Sequence, residues 1–323
     1  MVILSVLNND YKIIHNNLDY NERGLNCIKM KILVIGGSGV IGYEIVKYYS
    51  SLQNKLFYTF LKNNPQRTEG KYLDITQKNE VMKLVSEIAP DIVFHTAAIT
   101  NVDLCEQEKK LATKINVIGT NNVVDACKKT QSKIVYLSTA AVFDGTKNEY
   151  FENDAPSPTS VYGQTKLKGE KIILESKLEY LILRTDQPYG WSEKWQHTNS
   201  VLRVVNSLTK KNQFKEIIDW YNTPTYIPDI IKTMNNLINY EKTGIYHVVG
   251  NDFLNRFEWA LKIAEEFGLN KNLLIPIKSS ELKLSVHRKN IKLNNKKLFV
   301  DTNVKMSGVI EGLKKMINSK IDV

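Results

Sequence analysis

Three glycines, Gly36, Gly39 and Gly42, constrain this chain more than any other feature. They follow a short β-branched, apolar run, Lys31–Ile35, and precede apolar residues at helical spacing, Ile45, Val46 and Tyr49. The pattern is strand, glycine turn, helix. Residues without side chains at such a turn let a phosphate approach the backbone. The helix start beyond them supplies unpaired N–H groups and the positive end of the helix dipole. Gly36, Gly39, Val40, Ile41 and Gly42 are therefore the first candidate residues for holding a dinucleotide pyrophosphate.

Strand-like runs recur at Leu56–Phe60, Asp91–His95, Lys133–Ser138 and Tyr180–Arg184, with helix-like stretches between them. One such stretch has a face of Val81, Leu84, Val85 and Ile88 and stops before Pro90. Strands alternating with helices imply an α/β fold with a doubly wound parallel sheet. After Arg184 the alternation gives way to aromatic, Pro- and Asn-containing segments, then a strand-like run at Ile245–Val249 and a helical pattern from Phe257 to Phe267. The reading is a nucleotide-binding Rossmann domain over residues 30–185, and a segment, 186–323, that completes the sheet and forms a small C-terminal substrate-binding lobe.

Residues 1–29 lack the basic and apolar regions of a signal peptide; they are expected to be a dispensable leader, with Met30 as the working start. Apolar runs are of strand length, short of the roughly 20 residues that span a bilayer, so no membrane association is expected. The three cysteines, Cys27, Cys105 and Cys127, have neither disulfide-framework nor zinc spacing, which fits a reducing, cytoplasmic setting and no metal. The net charge of +10 is concentrated from Lys278 onward, where eleven Lys/Arg face four Asp/Glu. Those lysines alternate with apolar residues and no nucleic-acid-binding signature accompanies them, so the excess is read as attraction for phosphorylated ligands rather than nucleic acid.

The second chemical signal is Tyr162-Gly-Gln-Thr-Lys166, preceded by Leu137-Ser138-Thr139 at a strand end. On a helix from Thr159, Tyr162 and Lys166 share a face four residues apart. An ammonium near the phenol is expected to lower its pKa from about 10 toward neutrality, where it can act as general acid or base. A Thr139 hydroxyl would bind the reacting oxygen, with the adjacent Ser138 as the less favoured choice.

Glycine motif, Asn116, Ser138-Thr139 and Tyr162-x-x-x-Lys166, in this order and spacing, resemble the extended short-chain dehydrogenases/reductases. The resemblance narrows to the dTDP-4-dehydrorhamnose reductase branch, which also includes a regulatory β subunit of methionine adenosyltransferase. It rests on Leu73-Asp74-Ile75-Thr76, Ala97 to Asp103 with Glu106, Val142-Phe143-Asp144-Gly145, Leu183-Arg184-Thr185, Tyr189-Gly190, Pro224-Thr225-Tyr226 with Pro228-Asp229, and Gly244-Ile245-Tyr246-His247.

The resemblance implies Tyr162 as proton donor, Lys166 holding the nicotinamide ribose, and Thr139 orienting substrate. It further implies Asp74 and Ile75 at the adenine and Ala98, Ile99 and Thr100 along the cofactor. NADP(H) is the expected cofactor, with NAD(H) as the alternative. After Phe60 the chain has Lys62 and Arg67 in place of the acid that would take a ribose 2′-hydroxyl.

The implied activity is reduction of a nucleotide-activated 4-keto-6-deoxy sugar, as in dTDP-rhamnose biosynthesis, by a homodimer. The chain departs from the branch where the family touches its sugar. Ala140-Ala141 replaces Asp-Tyr, Gln187 stands at a tryptophan position, and His287-Arg288-Lys289-Asn290 replaces Arg-Pro-x-Asn. Thr139, Ala140 and Gln187 are the candidate substrate contacts.

Three alternatives stay open: an epimerase that recycles bound NAD, a dehydratase, which would want a Glu near Thr139, and a non-catalytic NADP-binding regulatory subunit. His95 and His247 are read as packed core residues, and Asp103 and Glu106 as helix-capping and structural. Trp191, Trp195 and Trp220 are divided between sugar stacking and lid packing.

Overall fold

The computed structural model describes residues 30–52, 54–65 and 70–319. The leader and Arg67 lie outside the described residues. Seven strands form one sheet: β1 (Lys31–Ile35), β2 (Lys55–Phe60), β3 (Gly70–Tyr72), β4 (Ile92–His95), β5 (Lys133–Thr139), β6 (Tyr180–Thr185) and β7 (Gly244–His247). Every pairing in it is parallel, and the order is β7-β6-β5-β4-β1-β2-β3. The sequence order reverses between β1 and β4. This is where a doubly wound sheet opens a crevice beyond its strand ends.

The central strands are buried on both faces, which is why they read as continuous apolar runs without alternation. One face is covered by α1 (Val40–Ser50); the long connections also carry α2 (Lys78–Ile88), α3 (Thr120–Thr130) and α4 (Val161–Leu174). Leu33, Val93, Ile134 and Ile182 of the sheet meet Val81 and Val85 of α2, Val123 and Cys127 of α3, and Ile173 of α4 in one apolar core. The helix expected to stop before Pro90 does so through Ala89, which takes the left-handed conformation at φ 46°. Strand β3 carries too little apolar pattern to be read from sequence; two of its three residues are exposed.

Beyond β6 the chain forms α5 (Ser200–Thr209), then α6 (Ile227–Asn239), which returns to the sheet and leads into β7. α7 (Arg256–Glu266) and α8 (Val309–Asn318) follow. A second apolar cluster around the buried Trp259 joins α5, α7 and α8 with Tyr189 and Tyr226. Two parallel segments, Phe214–Ile217 and Leu274–Ile277, border it. α7 starts on a capping box, in which Asn255 accepts from the Glu258 N–H and Glu258 accepts from the Asn255 N–H. No described helix is long and apolar enough to cross a membrane.

Candidate active site

The glycine turn sits at the carboxyl end of β1, on the switch point. Gly36 has φ +90°, and a Cβ there would lie 2.7 Å from the Ala97 backbone nitrogen. A Cβ on Gly42 would collide with the Gly36 carbonyl. Thr96, following β4, ties the turn down by donating its hydroxyl to the carbonyls of Ile35 and Gly36, at 3.0 and 3.2 Å. Helix α1 begins at Gly39 with no side-chain cap and no acid in its first turn, so its amide groups face the crevice unopposed by side-chain oxygens.

A cleft of about 750 Å³ extends from this turn across the ends of β4, β5 and β6. It brings together Gly39, Val40, Ile41, Gly42, Ala98, Thr100, Thr139, Ala140, Tyr162, Lys166 and Gln187 from the sequence-derived set. Gly36 underlies the turn without lining the cleft, and Ile99, Lys62, Asp74 and Ile75 are also outside the lining. Ile99 is instead clamped by the buried Asn116, whose Oδ1 accepts from the Ile99 N–H at 2.8 Å and whose Nδ2 donates to the Ile99 carbonyl at 3.0 Å. Asn116 Nδ2 also reaches Thr165 of α4 at 3.1 Å, so one amide fixes the cleft floor relative to the helix bearing Tyr162. Asn116 stands on a π-helical turn, Lys114–Gly119, a distortion that frees backbone groups and often marks functional sites. Ile75 packs against Gly119, Asp74 accepts from the Thr76 N–H, and Lys62 is exposed.

Helix α4 starts at Val161, two residues later than expected at Thr159, because Ser160 caps it by accepting from the Gly163 N–H. Tyr162 is half-buried in the first turn, and Lys166, one turn on, is 4% exposed. Thr139 and Tyr162 both line the cleft. Burial pushes the phenol up to about 12; the Thr139 side chain opposes this, and Cys105 and Asp186 reinforce it. The expected lowering by Lys166 is therefore overturned. The Lys166 ammonium lies 3.9 Å from the centroid of the Tyr136 ring, and burial lowers its own pKa to about 7, against the attraction of Glu170.

The acids near the site are structural, and Glu106, not Asp103, satisfies a helix start. Asn101, rather than Asp103, caps its helix by accepting from the Leu104 N–H. Asp103 accepts from Arg288 Nη2 and from the Ser285 N–H, and Glu106 accepts from the Val161 N–H at the head of α4. His95 pairs with Thr120 and His247 with the Asn294 carbonyl, and both are buried. Trp195 and Trp220 line the cleft. Trp191 instead packs edge-on to Phe267 and donates to the Met316 carbonyl. Gln187, at φ +40°, is held by Arg256 Nη1, which donates to its side-chain oxygen at 2.8 Å, while the same arginine is paired with Glu216.

Sequence reasoning missed Arg203, Asp186 and Asn222 as cleft residues; Arg288 and Lys289 line it too. Arg203 lies in an ordinary amphipathic helix and gives no local signal. Asp186 sits between the Leu183-Arg184-Thr185 motif and the more conspicuous Gln187, and that adjacency was the signal that could have found it.

A doubly wound parallel sheet, a glycine turn at its switch point and Thr139, Tyr162 and Lys166 on one cleft define an extended short-chain dehydrogenase/reductase. Residues 30–321 match the family profile described as RmlD substrate binding domain, and the chain belongs to that family. It is 30% identical over 244 residues to dTDP-4-dehydrorhamnose reductase of Aggregatibacter actinomycetemcomitans, covering 73% of this chain and 79% of that one. It is 28% identical over 287 residues to methionine adenosyltransferase 2 subunit beta of Mus musculus, covering 86% and 84%. The crystal structure of dTDP-4-dehydrorhamnose reductase from Bacillus anthracis in complex with NADP superimposes with a TM-score of 0.83 at 29% identity, over 90% of this chain and all of that one.

Proposed function

We propose that this protein is an NADPH-dependent reductase of a nucleotide-activated 4-keto-6-deoxy sugar. The observation that carries the reading is Thr139, Tyr162 and buried Lys166 on one cleft that begins at a phosphate cradle with no room for side chains at Gly36 and Gly42. The cradle fits a dinucleotide: Gly36 and Gly42 have no room for a side chain, and the start of α1 is uncapped. Val40, Ile41 and Gly42 would hold the pyrophosphate, Ala98 and Thr100 the path toward the nicotinamide, and Lys166 its ribose. The bound cofactor supplies hydride.

Tyr162, kept protonated at neutral pH by burial, supplies the proton to the sugar oxygen at C4. Thr139, which lines the same cleft, orients that oxygen through its hydroxyl. Lys166 stabilises the phenolate left behind. Arg203, Arg288 and Lys289, which also line the cleft, suit a diphosphate. Lys62, with Arg67, favours NADP(H) over NAD(H).

The resemblance to a methionine adenosyltransferase subunit supports a second reading, an NADP-binding regulatory subunit. NADPH oxidation in the presence of a dTDP-4-keto-6-deoxy hexose separates the two. Stoichiometric oxidation supports the reductase and also excludes an epimerase, which recycles its cofactor. Absence of turnover with any 4-keto nucleotide sugar, together with tight binding to another protein, favours the regulator.

A further inference from the structure

Where β6 ends, three consecutive positions on the cleft wall are polar in an unusual way. Thr185, paired in register with Thr139 across β5 and β6, is 6% exposed, and its hydroxyl has no hydrogen-bond partner among the described residues. Asp186 follows, half-buried and lining the cleft, and then the strained Gln187. Opposite them stands Asn222, 4% exposed. Its side-chain carbonyl oxygen is left without a hydrogen-bond partner among the described residues, and its side chain favours the charged form of Asp186. The Asp186 carboxylate accepts from the Thr223 N–H at 2.8 Å.

A carboxylate offers about four acceptor positions, and the Thr223 N–H takes one of them, so the carboxylate keeps acceptor capacity toward the cleft it lines. The negative charge also decides which way Asn222 faces, with its NH₂ toward Asp186 and its carbonyl oxygen away. Buried polar atoms without partners are uncommon and unfavourable unless a ligand or water completes them. Arg256, whose charge favours the ionised form of Asp186, hydrogen-bonds to Glu216 and Gln187.

We propose that Thr185, Asp186 and Asn222 form a hydroxyl-binding subsite that selects the sugar ring presented to Tyr162. Two acceptors and one hydroxyl that can turn either way match a sugar hydroxyl, which donates to one oxygen and can accept from another. Thr185 and Thr139 are register partners on neighbouring strands, which puts the subsite beside the hydroxyl that orients the reacting oxygen. Burial raises the Asp186 pKa to about 6, the mark of a carboxylate short of solvent and favoured by an added donor. The ring positions next to the reacting carbonyl are thereby read by a charged acceptor. It supplies polar recognition that the methyl side chains of Ala140 and Ala141 do not offer.

This inference rests on the nucleotide-sugar reading, and a cycle of ligand and protein changes separates the two. NADPH-loaded protein is titrated calorimetrically at pH 8 with dTDP-glucose and with its 2-, 3- and 6-deoxy analogues. Wild type, Asp186→Asn and Thr185→Val are compared. A hydrogen bond to a charged acceptor corresponds to roughly tenfold or more in affinity. One deoxy analogue should therefore bind wild type about tenfold more weakly than dTDP-glucose. In Asp186→Asn, which keeps the shape of the side chain, that penalty should fall below about threefold, since a neutral acceptor is roughly half as strong. Thr185→Val, nearly isosteric, should reduce the penalty for the same analogue and gives the cycle a second variant. A penalty of equal size in wild type and both variants, or no discrimination against any analogue by wild type, overturns the subsite while leaving the reductase reading standing. Failure of dTDP-glucose and all three analogues to bind overturns both.

Discussion

Removing Glu170 tests how the reactive helix is held. Its carboxylate lies inside the protein, where α4, β5 and β6 meet, and both it and Arg184 are no more than 2% exposed. Arg184 grips it with two nitrogens, Nε to Oε1 at 3.0 Å and Nη2 to Oε2 at 2.7 Å, and Ser138 donates to Oε1 at 2.5 Å. Each charge-assisted bond is worth about 1.5–3 kcal/mol at most, but the three share one desolvated charge and do not add. Substituting Glu170→Leu strands the guanidinium over Phe143 with no anion, which by analogy with broken buried pairs costs about 3–5 kcal/mol.

Urea denaturation followed by circular dichroism reads this as a lower midpoint at an unchanged slope. The double variant Glu170→Leu with Arg184→Met removes both charges and should recover at least half of the loss, because much of the single-variant cost is the unpaired arginine. A single variant destabilised by less than about 1 kcal/mol, or a double variant as unstable as the sum of its singles, refutes this reasoning.

Two further outcomes follow from the same geometry. NADPH, titrated by quenching of intrinsic fluorescence, should bind more tightly than NADH, and Lys62→Ala should narrow the gap; equal or tighter NADH binding contradicts the assignment of Lys62. Burial, with a smaller push from Lys166, lowers the His95 pKa to about 3, whereas an unfolded histidine titrates near 6.5. Between these values the unfolded chain binds the extra proton, so His95 makes stability fall as pH drops below 6.5. His95→Gln should lessen that fall by up to about 1.4 kcal/mol per pH unit between pH 6 and 4, measured by urea midpoints; equal slopes in the two proteins contradict it.

The central sheet was legible because strands buried on both faces leave uninterrupted apolar runs. β1 and the expected strands near β2, β4, β5 and β6 agree with the structure to within one or two residues. The reactive helix was legible for a different reason, since a fixed four-residue spacing places Tyr162 and Lys166 on one side wherever the helix starts. Short range is where the reading stopped. β3 is held by pairing with β2 rather than by its own pattern, and no local signal links Asp103 to Arg288 across the whole chain. The Tyr162 pKa came out in the opposite direction because spacing reports neighbours but not solvent. The composition of a helix says nothing about the solvent its phenol loses, and that loss is the largest influence on Tyr162.

Sugar reduction in this cleft depends most directly on the proton held by Tyr162. Steady-state NADPH oxidation with a dTDP-4-keto-6-deoxy hexose should be measurable in the wild type and fall by about 10²–10⁴-fold in Tyr162→Phe, the usual cost of losing general acid catalysis. NADPH affinity should stay nearly unchanged, because Lys166 and the glycine turn remain. A variant that keeps wild-type turnover, or a wild type that never oxidises NADPH with such a sugar, contradicts the assignment of this cleft to sugar reduction.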